Sequence, residues 1–243
     1  GKKKMKGFTD IHHHILYGID DGPDSFERMA RMLHKSSEDG VARIIATPHV
    51  TPGVRRFNLE RYEQRLVEAQ RYCAENGLPL EIYGGAEILY TPMTVTMLLD
   101  GRIPTMADTQ YVLVEFLPDI EFRELFRAVR KLVYAGYRPI LAHIERYSCL
   151  MHRLKRVYAL KDDYEVCLQV NCNTILNPRG FWVRRGIRRL LDDEMVDFVA
   201  TDAHNIRSRK THMREAYRLL RRAYGREYAT YLTGRGEELD LNG

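Results

Sequence analysis

Phe8-Thr9-Asp10-Ile11-His12-His13-His14 is a short β-rich run, and the residues after it decide the architecture. No glycine-rich phosphate loop comes next. Instead an amphipathic stretch begins, with Phe26, Met29, Ala30 and Leu33 recurring at helical spacing, and then a second β-rich run at residues 43–49. The alternation continues through runs at 81–88, 111–116, 139–144, 167–171 and 197–202. Phe122, Leu125, Phe126, Val129, Leu132 and Val133 mark the apolar face of another intervening helix. Strand and crossover helix repeated about seven times predict a parallel sheet in an α/β fold. Without a phosphate loop after the first strand, a closed (β/α) barrel explains the pattern better than an open doubly wound sheet.

The punctuation agrees. Asp24 with Glu27 three residues on reads as a capping box opening the first helix. Gly40, Gly77 and Gly136 each stand just past a helix, where a left-handed cap is expected. With no linker, low-complexity segment or repeat, residues 1–243 read as a single domain. Residues 1–6 are expected to be an expression-vector remnant or a disordered start, and the tail after Tyr231 is less informative.

Of 243 residues, 44% are hydrophobic and 29% charged, which argues against extended disorder. No apolar run approaches the roughly 18–20 residues of a membrane span, and no apolar segment follows the basic start as a secretory signal requires. The four cysteines form no C-x-x-C pair and no disulfide framework, so a cytoplasmic location is expected. A net charge of +5 favours acidic partners: phosphorylated groups, nucleic acid or an anionic membrane face. No nucleic-acid-binding module is visible, and none of these partners is selected by composition.

Polar residues at the strand ends carry the chemistry. His12 and His14, at i and i+2, should share one face roughly 6.5–7 Å apart along the backbone, where one metal could take both. His13 should point the other way. Comparable groups end four other runs: Thr47-Pro48-His49, Gly85-Ala86-Glu87, Ala142-His143-Ile144-Glu145-Arg146 and Thr201-Asp202-Ala203-His204. Glu115 stands between Val114 and Phe116 in a fifth. In a barrel these ends converge on one mouth. Nitrogen and oxygen donors without thiolate suit manganese, iron or zinc, and Glu87 and Asp202 are the natural bridging carboxylates. Clustered metals point to hydrolysis, most plausibly of a phosphate ester. Three divalent ions would outweigh the charges of Asp21, Glu87, Glu115 and Asp202 and attract a dianion. Arg146 and Arg209 follow ligand motifs closely and could grip phosphate oxygens in bidentate fashion.

Asp10-Ile11-His12-His13-His14, Asp20-Asp21-Gly22-Pro23, Thr47-Pro48-His49, Gly85-Ala86-Glu87-Ile88, Ala142-His143-Ile144-Glu145-Arg146-Tyr147 and Asp202-Ala203-His204-Asn205 together resemble the bacterial CpsB/CapC-type manganese-dependent protein tyrosine phosphatases. These belong to the polymerase-and-histidinol-phosphatase (PHP) superfamily. The resemblance implies a distorted seven-stranded TIM-like barrel holding three metals, most readily manganese. The first metal would use His12, His14, Glu87 and Asp202; the second Glu87, Glu115 and His143; the third Asp21, His49 and His204. Arg146 and Arg209 fall on the phosphate-contacting arginines. The implied substrate is a phosphotyrosine protein, a membrane-associated autokinase governing capsular or exopolysaccharide synthesis. His13 stands where a small polar residue is more usual.

The expected reaction is direct attack on phosphorus by a metal-bridging hydroxide. Cys73, Cys149, Cys167 and Cys172 all lack the arginine of a C-x5-R loop, which weighs against a cysteine nucleophile. A phenolate leaves from a parent pKa of about 10, so no general acid is assigned. Tyr17, Tyr90 and Tyr147 lie near the motifs and read as half-buried packing rather than as platforms for a phenyl ring. Three rival readings remain open: a small-molecule phosphatase acting on histidinol phosphate or a similar ester, a PHP-type nuclease, and a metal-stabilised binding module. The oligomeric state is open too.

Overall fold

The computed structural model describes residues 7–234 and Leu239. The expectation for residues 1–6 lies outside the described residues. Nine strand segments are present among the described residues: β1 (Phe8–His13), β2 (Val41–Ala46), β3 (His49–Val50), β4 (Glu81–Gly84), β5 (Glu87–Leu89), β6 (Tyr111–Glu115), β7 (Arg138–Leu141), β8 (Cys167–Asn171) and β9 (Phe198–Ala200). The principal helices are α1 (Phe26–Glu38), α2 (Leu59–Glu75), α3 (Thr94–Leu99), α4 (Phe122–Tyr134), α5 (Ser148–Met151), α6 (Lys155–Tyr164), α7 (Cys172–Leu176), α8 (Phe181–Asp192), α9 (Met213–Tyr224) and α10 (Arg226–Gly234).

All the strand pairings are parallel, in the orders β1-β2-β4 and β3-β5-β6-β7-β8-β9, and the strands curl into a half-barrel. The far edge of β1 meets the segment after β9. Asp202 N–H donates to the His12 carbonyl (2.8 Å), His14 N–H donates to the Ala203 carbonyl (2.9 Å), and the Asp10 carboxylate accepts from the Thr201 N–H (3.1 Å) and hydroxyl.

Every one of the seven expected runs contains strand, but two are split. Residues 43–49 break at Thr47-Pro48, where proline has no N–H to donate to a ladder. Residues 81–88 break at Gly85-Ala86. A Cβ on Gly85 would lie 2.8 Å from Ile45 Cγ2 and 2.9 Å from Met106 Sδ, so the chain there is pressed into the interior.

Side-chain alternation separates two cores. Ile45, Leu113, Ile140, Ala142, Cys167, Phe198 and Ala200 point inward with Ile11, Met106 and Leu239, while their neighbours Ile44, Val112, Val114, Leu141, Leu168 and Val199 meet the surrounding helices. The apolar faces expected for α1 and α4 are the buried ones: Met29, Ala30 and Leu33, then Leu125, Val129 and Leu132.

One cap differs from expectation. Ser25, not Asp24, is the N-cap of α1, accepting from Arg28 N–H at 3.3 Å, and Asp24 pairs instead with the Arg28 guanidinium (3.1 Å). Gly40, Gly77 and Gly136 do adopt positive φ, at 88°, 62° and 93°.

Candidate metal centre

β1 does not run as a regular strand. Asp10 pairs with Ile44 and His13 with Ala46, so three steps on β1 oppose two on β2. This bulge lets Ile11 join the inner apolar cluster while His12 still reaches the polar end. His13 turns outward, with Nε2 3.1 Å from Ser36 Oγ on α1. Burial, with His14 and His204 nearby, holds it down to about 3.

Three imidazoles have their outer nitrogen fixed by an oxygen. His12 Nδ1 lies 2.9 Å from Gln169 Oε1, His14 Nδ1 2.8 Å from Asp20 Oδ2, and His204 Nδ1 2.8 Å from the Asp202 carbonyl. Each Nδ1 therefore carries a hydrogen, which leaves Nε2 as the nitrogen that can ligate a cation once it is free of its own proton. His12 Nε2 and His14 Nε2 stand 3.3 Å apart, and the His14 and His204 rings stack with centroids 3.8 Å apart. Two imidazole nitrogens this close need a cation, a proton or a metal ion, between them and the carboxylates.

Those carboxylates are in place. Glu87 Oε2 is 3.1 Å from His12 Nε2 and 2.9 Å from His143 Nε2. Asp202 Oδ1 is 3.2 Å from His12 Nε2 and 3.1 Å from His14 Nε2. Asp202 Oδ1 and His204 Nε2 are buried and find no hydrogen-bond partner among the described residues. The donor set thus fits a divalent cation, on geometry as well as on chemistry.

Three groups bring their donor atoms within 4.8 Å of one another: His12, His14, Glu87 and Asp202; His14, Asp21, His49 and His204; and His49, Glu87 and Glu115. Eight of the nine expected ligands are therefore gathered at one end of the strands. His143 stands beside the third group, 2.9 Å from Glu87 and 3.4 Å from Glu115, while His49 completes its tightest arrangement. His143 (φ 32°) and Asp202 (φ 52°) both hold left-handed backbone, so two of the candidate ligands carry conformational strain.

Charge is balanced by protons when no metal is bound. Burial alone would lower His12, but Glu87 and Asp202 push it up to about 10, and His14 is likewise raised. Burial would raise Glu87 and Asp202, yet the His12 charge and the close imidazoles hold both well below the carboxylate range. Asp20 falls to about 2, the His14 hydrogen bond and charge outweighing its burial. Metal binding here would displace protons.

With this geometry established, the comparisons with known proteins are decisive. A family profile described as capsular polysaccharide synthesis, CpsB/CapC, matches residues 8–238. The chain belongs to the CpsB/CapC family. It is 32% identical to the tyrosine-protein phosphatase CpsB of Streptococcus pneumoniae, over 92% of this chain and 93% of that one. To the tyrosine-protein phosphatase YwqE of Bacillus subtilis it is 28% identical, over 96% and 91%. A crystal structure from work on YwqE and CpsB, described as metal-dependent tyrosine phosphatases, superposes with a TM-score of 0.85 at 27% identity, covering 96% and 93%. The histidinol phosphate phosphatase of Lactococcus lactis shares the fold, with a TM-score of 0.59 at 17% identity over 94% and 97%.

In this CpsB/CapC chain, Arg146 and Arg209 flank the centre with 43% and 39% of their side chains exposed. Their Nη2 atoms lie 3.2 and 3.1 Å from the same oxygen, Asp202 Oδ2. Asp202 is thus divided: Oδ2 accepts from both arginines and from Asn171 Nδ2 (3.1 Å), while Oδ1 faces the histidines.

Sequence reasoning missed the residues that hold the ligands. Gln169 Oε1 accepts from both His12 Nδ1 and the His143 N–H (2.9 Å each), and Gln169 Nε2 donates to Asn171 Oδ1 (2.9 Å). The signal was available, because Gln169 and Asn171 are polar residues two apart in an otherwise apolar strand. Asp20 immediately precedes Asp21, which alone of the two was assigned a role. Tyr147 departs from the half-buried expectation: it is fully buried, accepts from Phe116 N–H (3.2 Å), and its hydroxyl sits 3.5 Å from His143 Nδ1. Tyr17 is half-buried as expected, donating to Glu68 at 2.6 Å, and so is Tyr90. All four cysteines are free. Burial raises Cys73 to about 11 and pushes the Cys149 and Cys172 thiols up, so none of these three is disposed to act as a thiolate.

Proposed function

We propose that this chain is a metal-dependent protein tyrosine phosphatase that hydrolyses phosphomonoesters. His12, His14, Asp21, His49, Glu87, Glu115, His143, Asp202 and His204 serve as metal ligands, and Arg146 and Arg209 contact phosphate. The observation that carries this reading is the convergence of the His12 and His14 Nε2 atoms, 3.3 Å apart, on buried Glu87 and Asp202. The tyrosine-protein phosphatases among its relatives support the substrate class.

The three groupings of donors support three ions, and the absence of sulfur favours manganese, with iron or zinc as alternatives. Divalent ions, when bound, supply ionisation of water at neutral pH and Lewis acidity toward phosphate oxygens. The chain supplies the rest. Gln169, Asp20 and the Asp202 carbonyl hold the imidazoles in the tautomer that can ligate. Arg146 and Arg209 are permanently charged, so they bind and orient the phosphate but cannot protonate a leaving group. A phenolate leaves with little need of a general acid.

The finer architecture counts as seven staves, β2 with β3 and β4 with β5 each forming one, in a single PHP-type barrel domain closed between β9 and β1. The substrate is proposed to be a membrane-associated tyrosine autokinase of capsular or exopolysaccharide synthesis, met in the cytoplasm. The family's description and the lack of any helix long and apolar enough to cross a membrane among the described residues support this.

Metal content should be measured before and after chelation, with turnover on a phosphotyrosine peptide, histidinol phosphate and single-stranded DNA. Phosphotyrosine turnover should vanish on chelation and return with manganese. Hydrolysis confined to histidinol phosphate or DNA would replace the substrate assignment. Binding of the peptide without release of phosphate would make the protein a binding module.

A further inference from the structure

Away from the metal centre, the start of α8 presents an exposed aromatic pair beside a run of arginines. From Val166 to Leu191 the chain carries five arginines and no carboxylate. Within that stretch Phe181 is 67% and Trp182 43% exposed, and their rings meet edge to face with centroids 5.2 Å apart. Phe181, Arg184, Arg185 and Arg188 follow the i, i+3, i+4, i+7 spacing of one helical stripe. The opposite stripe, with Ile187, Leu190 and Leu191, is buried in the core.

The arginines are not occupied by the fold. Arg189 pairs with Asp193 (2.9 Å), but among the described residues Arg179, Arg184, Arg185 and Arg188 have no carboxylate within ion-pair distance. Arg185 lies 6.0 Å over the Trp182 ring. Exposed aromatics gain nothing from water, and four unneutralised cations around them repel one another until an anionic surface arrives.

A protein partner would ordinarily bury about 800 Å² on each side around an apolar centre. Here the apolar part is two rings on one turn, and every formal charge the chain carries from Val166 to Leu191 is positive. That combination suits a lipid headgroup layer, where aromatic rings settle at the interface and arginines meet phosphates.

We propose that the first turn of α8 is a docking surface for anionic membranes, Phe181 and Trp182 entering the headgroup layer while Arg179, Arg184, Arg185 and Arg188 engage lipid phosphates. α8 follows a parallel strand, so this turn lies at the end of the strands that bears the metal ligands. Docking there brings the mouth of the molecule to the lipid surface. The contact is independent of the hydrolytic reaction.

Trp182 is the only tryptophan in the sequence, so its emission reports on the proposed contact directly. Vesicles of phosphatidylglycerol and phosphatidylcholine should shift that emission to the blue, phosphatidylcholine alone should not, and salt should reverse the shift. The pair R184E/R188E should weaken vesicle binding at least roughly tenfold, since each arginine near an anionic surface contributes separately to the attraction. The pair R218E/R222E, with the same charge change on exposed positions of α9, should weaken it far less. Phe181→Ala should weaken binding even at low salt while the far-UV spectrum stays unchanged.

The proposal is overturned if saturating anionic vesicles leave the emission unmoved, or if both arginine pairs lose affinity equally, which is nonspecific attraction to a basic protein. It also falls if the shift follows protein concentration without lipid, which is self-association, or if single-stranded DNA produces it and vesicles do not.

Discussion

The side-chain amide of Gln169 holds His12 and His143 at once, through a single oxygen. Replacing it by leucine keeps the volume but releases both. Gln169→Leu should lower metal affinity roughly 10–100-fold, the usual cost of removing an outer partner of a ligating histidine. Competition with a chelator measures this, and an unchanged affinity would deny Gln169 its positioning role. His13 bears on acid stability instead. It is held down to about 3 in the fold against 6.5 when free, so between those values the unfolded chain binds more protons. Its contribution is fully present above pH 6.5 and lost as pH falls toward 3. His13→Ser should flatten the fall in urea stability from pH 6.5 to 4, whatever it does to stability at neutral pH; an unaltered slope would show that other groups set the acid limit. The nine proposed ligand positions stood out because histidine and carboxylate at consecutive strand ends have no cheap structural explanation. The partners Gln169 and Asn171 did not, because an uncharged polar residue in a strand signals a partner without saying which, and the burial of Tyr147 depends on packing that its loop position does not announce.

The loop bearing Asp20 and Asp21 owes its position to close contact with β1. A Cβ on Gly22 would lie 2.4 Å from the His14 carbonyl oxygen, a backbone atom that cannot step aside. Gly22→Ala should therefore push the loop away from β1 and cut metal binding at the group of His14, Asp21, His49 and His204, roughly tenfold or more. The metal-to-protein ratio would fall below that of the unmodified chain; full occupancy would mean the loop yields elsewhere. At this scale the period of apolar residues located the helices and strands well. Two breaks escaped it, because Pro48 and Gly85 interrupt ladders without interrupting the apolar pattern. The bulge in β1 escaped too, since an extra residue is visible only against the register of β2. The capping residue of α1 was misplaced by one because Asp24 and Ser25 are both good caps, and Arg28 claims the first.

For the molecule as a whole, the charge at one end of the strands couples stability to metal. A ligand that binds only the folded state at a hundred times its dissociation constant adds about 2.7 kcal/mol. In a chain of this length that corresponds to a rise in Tm of roughly 5–10 °C. Calorimetry with manganese and with chelator should differ by about this much; equal midpoints with metal demonstrably bound would mean the site folds no tighter when loaded. The parallel α/β class followed from the alternation of elements, whereas the extent of curling depends on contacts between β1 and residues 201–203 that no local pattern announces. The breaks at Pro48 and Gly85 carry a wider consequence. β2 and β4 belong to one sheet with β1, while β3 and β5, carrying His49 and Glu87, belong to the other. The two broken strands act as joints between a foundation and a rim, so descendants of this chain can rewrite the rim for a new ester while inheriting the foundation unchanged.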